Sequence, residues 1–170
     1  MVVSTVLAAD QRCKCSLASE VLGRFGELRL QVTGSSMLPS LWPGDLLLIR
    51  RAQLSEITTG ELVLFTRQER FFVHRVERAL GTCLLTRGDS LAATDAPVGA
   101  DEFLGRVVFI SREGATRTPA VLSPCGRWLA GAASRSTIFC NFLLRLRALF
   151  LRIPRVSLFT SMHPEEVCPS

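Results

Sequence analysis

The rhythm of hydrophobic positions changes near residue 27. Before it, SLASEVLGR (16–24) carries Ser16, then Ser19 and Glu20, then apolar residues at helical spacing, which predicts a short helix leading into the fold. From Glu27 the period shortens, and ELRLQV (27–32) alternates apolar and polar positions. Short apolar runs follow at DLLLIR (45–50), ELVLFT (61–66), RFFVHRV (70–76), TCLLT (82–86) and FLGRVVFI (103–110), separated by Gly, Pro, Ser and Thr. Six short strands over about 85 residues predict a mainly β fold, a compact and mostly antiparallel domain.

After Ser111 the chain turns to REGATRTPAVLSPCGR (112–127), which reads as a linker rich in turn residues. Residues 136–153, STIFCNFLLRLRALFLRI, predict a helix that stops at Pro154. Asn141, Arg145 and Arg152 share one face of it, and Arg147 lies on the far side. Such a helix either packs on its own domain or rests on an anionic membrane surface, and its arginines interrupt it too often for a bilayer span. The expected division is an N-terminal segment (1–26), a β domain (27–111) and a linker with an amphipathic helical tail (112–170).

Composition narrows the classes. A chain of 170 residues, 48% hydrophobic and 21% charged, holds one ordinary core. The net charge of +5 comes almost wholly from arginine, because Lys14 is the only lysine. The arginines are scattered rather than gathered, so no specific nucleic-acid partner is expected. Cysteines 13, 15, 83, 125, 140 and 168 form no CxxC pair and have no His at zinc-ligand spacing. They read as reduced thiols, with neither a metal nor a cofactor expected. The N-terminal MVVSTVLAAD is too short for a membrane span and lacks a basic lead, so no signal and no N-terminal anchor are expected.

The chemistry concentrates in TGSSMLPS (33–40). Gly34, Ser36, Met37, Pro39, Gly44 and Asp45 sit between two predicted strands, where a serine on a tight turn presents its hydroxyl to a cleft. A serine hydroxyl near neutral pH needs a base. Lys14 precedes the β region and His163 lies beyond Pro154, which leaves His74 in the strand FFVHRV as the candidate within the domain. A carboxylate must hold the imidazole in one tautomer. TRGDSLAATDAP offers Asp89, which also suits a turn, and Asp95, the first choice.

VTGSSMLPSLWPGDLLLI, TGELVLF, FFVHRV, LLTRGDSLAATD and FLGRVVFI resemble, in order, the motif boxes of the serine peptidase clan that holds type I signal peptidases and LexA-type repressors. The resemblance covers about Leu28 to Ile110 and is greatest to the endoplasmic-reticulum and archaeal signal peptidases, which use Ser and His. It implies Ser36 as nucleophile, His74 as base, and Asp89 and Asp95 at the two acidic positions. No lysine follows Ser36, so a Ser/Lys dyad after the nucleophile is ruled out.

One departure concerns the oxyanion. Many signal peptidases carry a serine two positions before the nucleophile, and Gly34 stands there, so the oxyanion would fall to the Ser36 N–H with a neighbouring donor such as Ser35. The resemblance implies an endopeptidase acting on an extended peptide or preprotein after small residues. The alternative is a self-processing or inactive LexA-like module, for which VLAAD near the N-terminus offers a cleavage site. About 26 residues before the first strand leave no room for a helix-turn-helix domain. The expected location is the cytoplasm, with peripheral contact to the inner membrane face.

Overall fold

The computed structural model describes residues 2–119, with side chains from Cys13 onward. Helix α1 (Val2–Phe25) leads into strands β1 (Glu27–Gln31) and β2 (Leu46–Arg50). A 3-10 turn (Leu54–Glu56) precedes β3 (Leu62–Arg67), β4 (Arg70–Ala79) and β5 (Leu84–Arg87), and β6 (Phe103–Arg112) and β7 (Ala115–Arg117) complete the sheet. Its order is β1-β2-β6-β3-β4-β5 with β7 paired to β6, and every pairing is antiparallel. The mainly β antiparallel reading therefore holds, with one strand more than the six expected.

Two apolar clusters lie on opposite faces of this sheet. In β3 the alternate residues Leu62 and Leu64 join Leu47, Ile49 and Ile110 on one side. Val63 and Phe65 join Val76, Leu84 and Val98 on the other. A strand buried on both faces reads as an unbroken apolar run, which is why LVLF shows no alternation.

The lead-in helix is longer than expected, Val2–Phe25 rather than 16–24. No Gly or Pro occurs before Gly23, so nothing halts a helix extending upstream, although the β-branched residues there weakened the pattern. It ends at Gly26, whose φ of 72° turns the chain back while its N–H bonds the Leu22 carbonyl at 3.0 Å. Leu22 is buried in the first cluster, with Leu28 and Leu30 of β1 packed against it. The helix thus lies over β1 and also touches β4.

The expected linker begins instead with structure. Glu113 and Gly114, both at positive φ, make a tight turn that returns the chain as β7. All three β7 residues are exposed, so no hydrophobic alternation marked the strand. Among the described residues Cys13, Cys15 and Cys83 are free thiols, as expected. Burial, then the nearby charge of Glu69, pushes the Cys15 thiol up. The 136–153 helix, the linker beyond residue 119, His163 and the remaining cysteines lie outside the described residues. No described helix is long and apolar enough to cross a membrane.

Candidate active site

The stretch between β1 and β2 folds into a tight, half-buried knot. Its base is closed by the Val32 N–H bonding the Asp45 carbonyl and the Gly44 N–H bonding the Val32 carbonyl, both at 2.8 Å. Met37, Leu38 and Leu41 turn inward and are buried. Asp45, fully buried, takes the Trp42 N–H at 2.9 Å and two hydrogen bonds from Arg112 at 2.7 and 2.5 Å. With its apolar side anchored, the knot leaves Ser36 on the lip of a cleft.

A second loop, after β5, locks the knot in place. The Ser90 N–H bonds the Ser36 carbonyl and Ser90 Oγ donates to the Ser35 carbonyl, each at 2.9 Å. Gly88 makes this approach possible, because a Cβ there would lie 2.6 Å from the Ser36 carbonyl oxygen. The Gly-Asp-Ser sequence is therefore more than a turn. It is the seat of the serine loop.

His74 comes from β4, opposite Val63 of β3, and its ring meets Phe65 and Phe72 edge-on at 5.9 Å. The imidazole is buried, with its two nitrogens engaged in opposite directions. Nδ1 lies 2.6 Å from Asp95 Oδ2, and Nε2 lies 3.1 Å from Ser36 Oγ. A carboxylate can only accept, so the proton belongs on Nδ1 and Nε2 is left to accept the Ser36 hydroxyl.

Asp95 is held by its own second contacts. Its N–H bonds the Thr86 carbonyl at 2.8 Å, and Thr86 Oγ1 donates to Oδ2 at 2.7 Å. Burial works against the charged carboxylate, but the hydrogen bonds from His74 and Thr86, with the charges of His74 and Arg67, outweigh it and hold Asp95 below its ordinary value. Arg67 forks onto Glu102 at 2.7 and 2.5 Å and bonds the carbonyls of Ala96 and Pro97, which pins the segment just past Asp95.

Of the two acidic candidates, the structure brings only Asp95 to the imidazole. Asp89 receives Arg75 Nε at Oδ1 and Arg75 Nη2 at Oδ2, both at 2.9 Å, and Ser40 Oγ at Oδ2 at 2.5 Å. Arg75 also reaches the Gly60 carbonyl at 2.8 Å. This ion pair ties the serine loop, β4 and the β5 loop together.

Gly34 and Ser35 directly precede the nucleophile, and the Ser35 carbonyl is taken by Ser90 Oγ and by the Leu38 N–H. Lys14, on α1, lines the cleft that Ser36 also lines. Thr86, Arg67, Arg75 and Ser90 were not singled out from the sequence. Thr86 alone carried a signal, as a polar residue in phase with Leu84 on a buried strand face.

Residues 9–108 match the family model described as Peptidase S24-like. A search of curated proteins gives no match. The matched region contains α1 from residue 9, the serine loop, His74, Asp95 and most of β6, more than half of the chain. The chain belongs to the peptidase S24-like family.

Proposed function

We propose that the protein is a serine endopeptidase of the signal-peptidase type, working with Ser and His as the endoplasmic-reticulum and archaeal enzymes do. The observation that carries this reading is the unbroken hydrogen-bonded line from Ser36 Oγ through His74 to Asp95. Ser36 Oγ attacks the peptide carbonyl as His74 Nε2 takes its proton, forming a tetrahedral oxyanion. Asp95, ionised and fixed by Thr86, keeps the proton on Nδ1 and stabilises the imidazolium as it forms. His74 then protonates the leaving amine, and water, activated by the same imidazole, releases the acyl group from Ser36.

The oxyanion needs donors at the serine loop. The N–H groups of Ser35 and Ser36 have no acceptor among the described residues, which supports their serving there. The substrate would be an extended peptide or preprotein cut after small residues, added along a free sheet edge. Among the described residues β1 is such an edge, since it pairs there with β2 alone.

The test is cleavage of a peptide library, read by mass spectrometry, with wild type, Ser36→Ala and His74→Ala. Cleavage by wild type and loss in both variants is the expected result. A fragment appearing only from the protein's own chain, and only with Ser36 present, would assign self-processing instead. No Ser36-dependent cleavage of any peptide or of the chain itself would overturn the reading.

A further inference from the structure

The cleft beside Ser36 has a volume of about 590 Å³, and one of its walls is α1. Lys14, Leu17, Ala18 and Val21 all line it, and their spacing of i, i+3, i+4 and i+7 marks one helical face. Across from them β1 presents Leu28 and Leu30, two residues apart on one strand face, and β4 adds Phe71 and Val73. Among the described residues that line it, only Lys14 has a side chain charged at neutral pH.

Leu17 remains 58% exposed although it faces this cleft. A single exposed leucine is ordinary, but here it continues an apolar surface that runs to a candidate nucleophile. Open apolar surface in a cleft beside reactive groups is what a binding site for an apolar ligand looks like. The helix is also fixed in position, since Leu22 is buried in the core and Gly26 turns the chain directly into β1.

We infer that α1 is part of the substrate site, and that the protein selects peptides with a bulky apolar side chain seated between α1 and β1. Ala18 sets the size of that side chain. It is the smallest residue on the helix face, between Leu17 and Val21, and a larger residue there would fill the space the substrate takes. The inference rests on the proposed role of Ser36, because it places the peptide beside that hydroxyl.

The test uses the full chain and fluorescent peptides that keep a small residue before the cleaved bond and differ at one other residue, Ala, Leu, Phe or Lys. Binding is read by anisotropy on Ser36→Ala protein and cleavage on protein with Ser36 intact. Leu and Phe peptides are expected to bind about tenfold tighter than the Ala peptide, with Lys weakest. Leu17→Asp, at an exposed position that the fold tolerates, is expected to erase most of that preference. Ala18→Leu is expected to shift it towards the smaller side chain.

Ser36-dependent cleavage with a preference indifferent to both helix variants would overturn the inference and leave the peptidase reading standing. Absence of any peptide binding or Ser36-dependent cleavage would overturn both.

Discussion

Asp95 and Asp89 leave the same loop six residues apart, and each accepts hydrogen bonds from two different side chains, yet their partners differ in kind. Asp95 faces an imidazole, whose charge comes and goes with a proton. Asp89 faces the guanidinium of Arg75, which is charged at every relevant pH. A carboxylate paired with a permanent cation is already committed to holding loops together. One paired with an imidazole can stabilise a positive charge that appears only during the reaction.

The sharpest way to break this contrast is to neutralise each carboxylate in turn. Ser36→Ala and His74→Ala set the scale and are expected to cut kcat/KM by about 10⁴-fold or more, with the fold intact. Asp95→Asn is expected to cost about 10⁴-fold, because an amide can stabilise the wrong tautomer, with a loss of stability at neutral pH smaller than that of Asp89→Asn. Asp89→Asn is expected to do the reverse. It leaves Arg75 without its buried partner and lowers stability by about 3 kcal/mol, with a smaller loss of activity in the fraction that remains folded. An inactive but fully stable Asp89→Asn protein would break the distinction.

Gly88→Ala sharpens the structural side. A Cβ 2.6 Å from the Ser36 carbonyl must displace the serine loop, and an activity loss of about 10²-fold is expected from a misplacement of that order.

The pH dependence sharpens the role of Asp95. Asp95 is held below its ordinary value in the folded protein, so its contribution to stability is complete above the unfolded carboxylate range, near pH 4. That contribution is lost only as pH falls through the lower folded value. Asp95 therefore stays ionised across the kcat/KM profile above about pH 4, and its protonation does not limit activity there. Urea denaturation of Asp95→Asn is expected to show a shallower loss of stability below pH 4 than wild type.

The smallest expected effect is a gain. A Cβ at Gly34 would meet nothing within 4 Å, so Gly34→Ser fits without strain and restores the hydroxyl that many signal peptidases place there. An increase in kcat of up to about tenfold is expected. An unchanged rate would mean that backbone donors alone saturate the oxyanion.

How far the sequence foretold this arrangement depended on how local each signal was. The strands announced themselves through apolar runs, and Ser36, His74 and the two acids stood out because each lay in a motif box. What joins them was less legible: Asp95 was the first choice only because Asp89 also suits a turn, whereas its contact with His74 depends on where a loop places it relative to β4. Arg75 directly follows His74, but only the pleat of β4, which points neighbouring side chains to opposite faces, shows that it belongs to Asp89. The full length of α1 was hidden for a different reason. Its upstream turns carry β-branched residues and weak helix propensity, so no clear apolar period marked them.

The central claim is that His74 is the base that activates Ser36. Its most direct test is kcat/KM for a cleaved peptide with His74→Ala, measured with and without imidazole in solution. The expected result is a loss of about 10⁴-fold, partly recovered by imidazole and only in proportion to its unprotonated form. A His74→Ala protein that cleaves at the wild-type rate without imidazole would contradict the account.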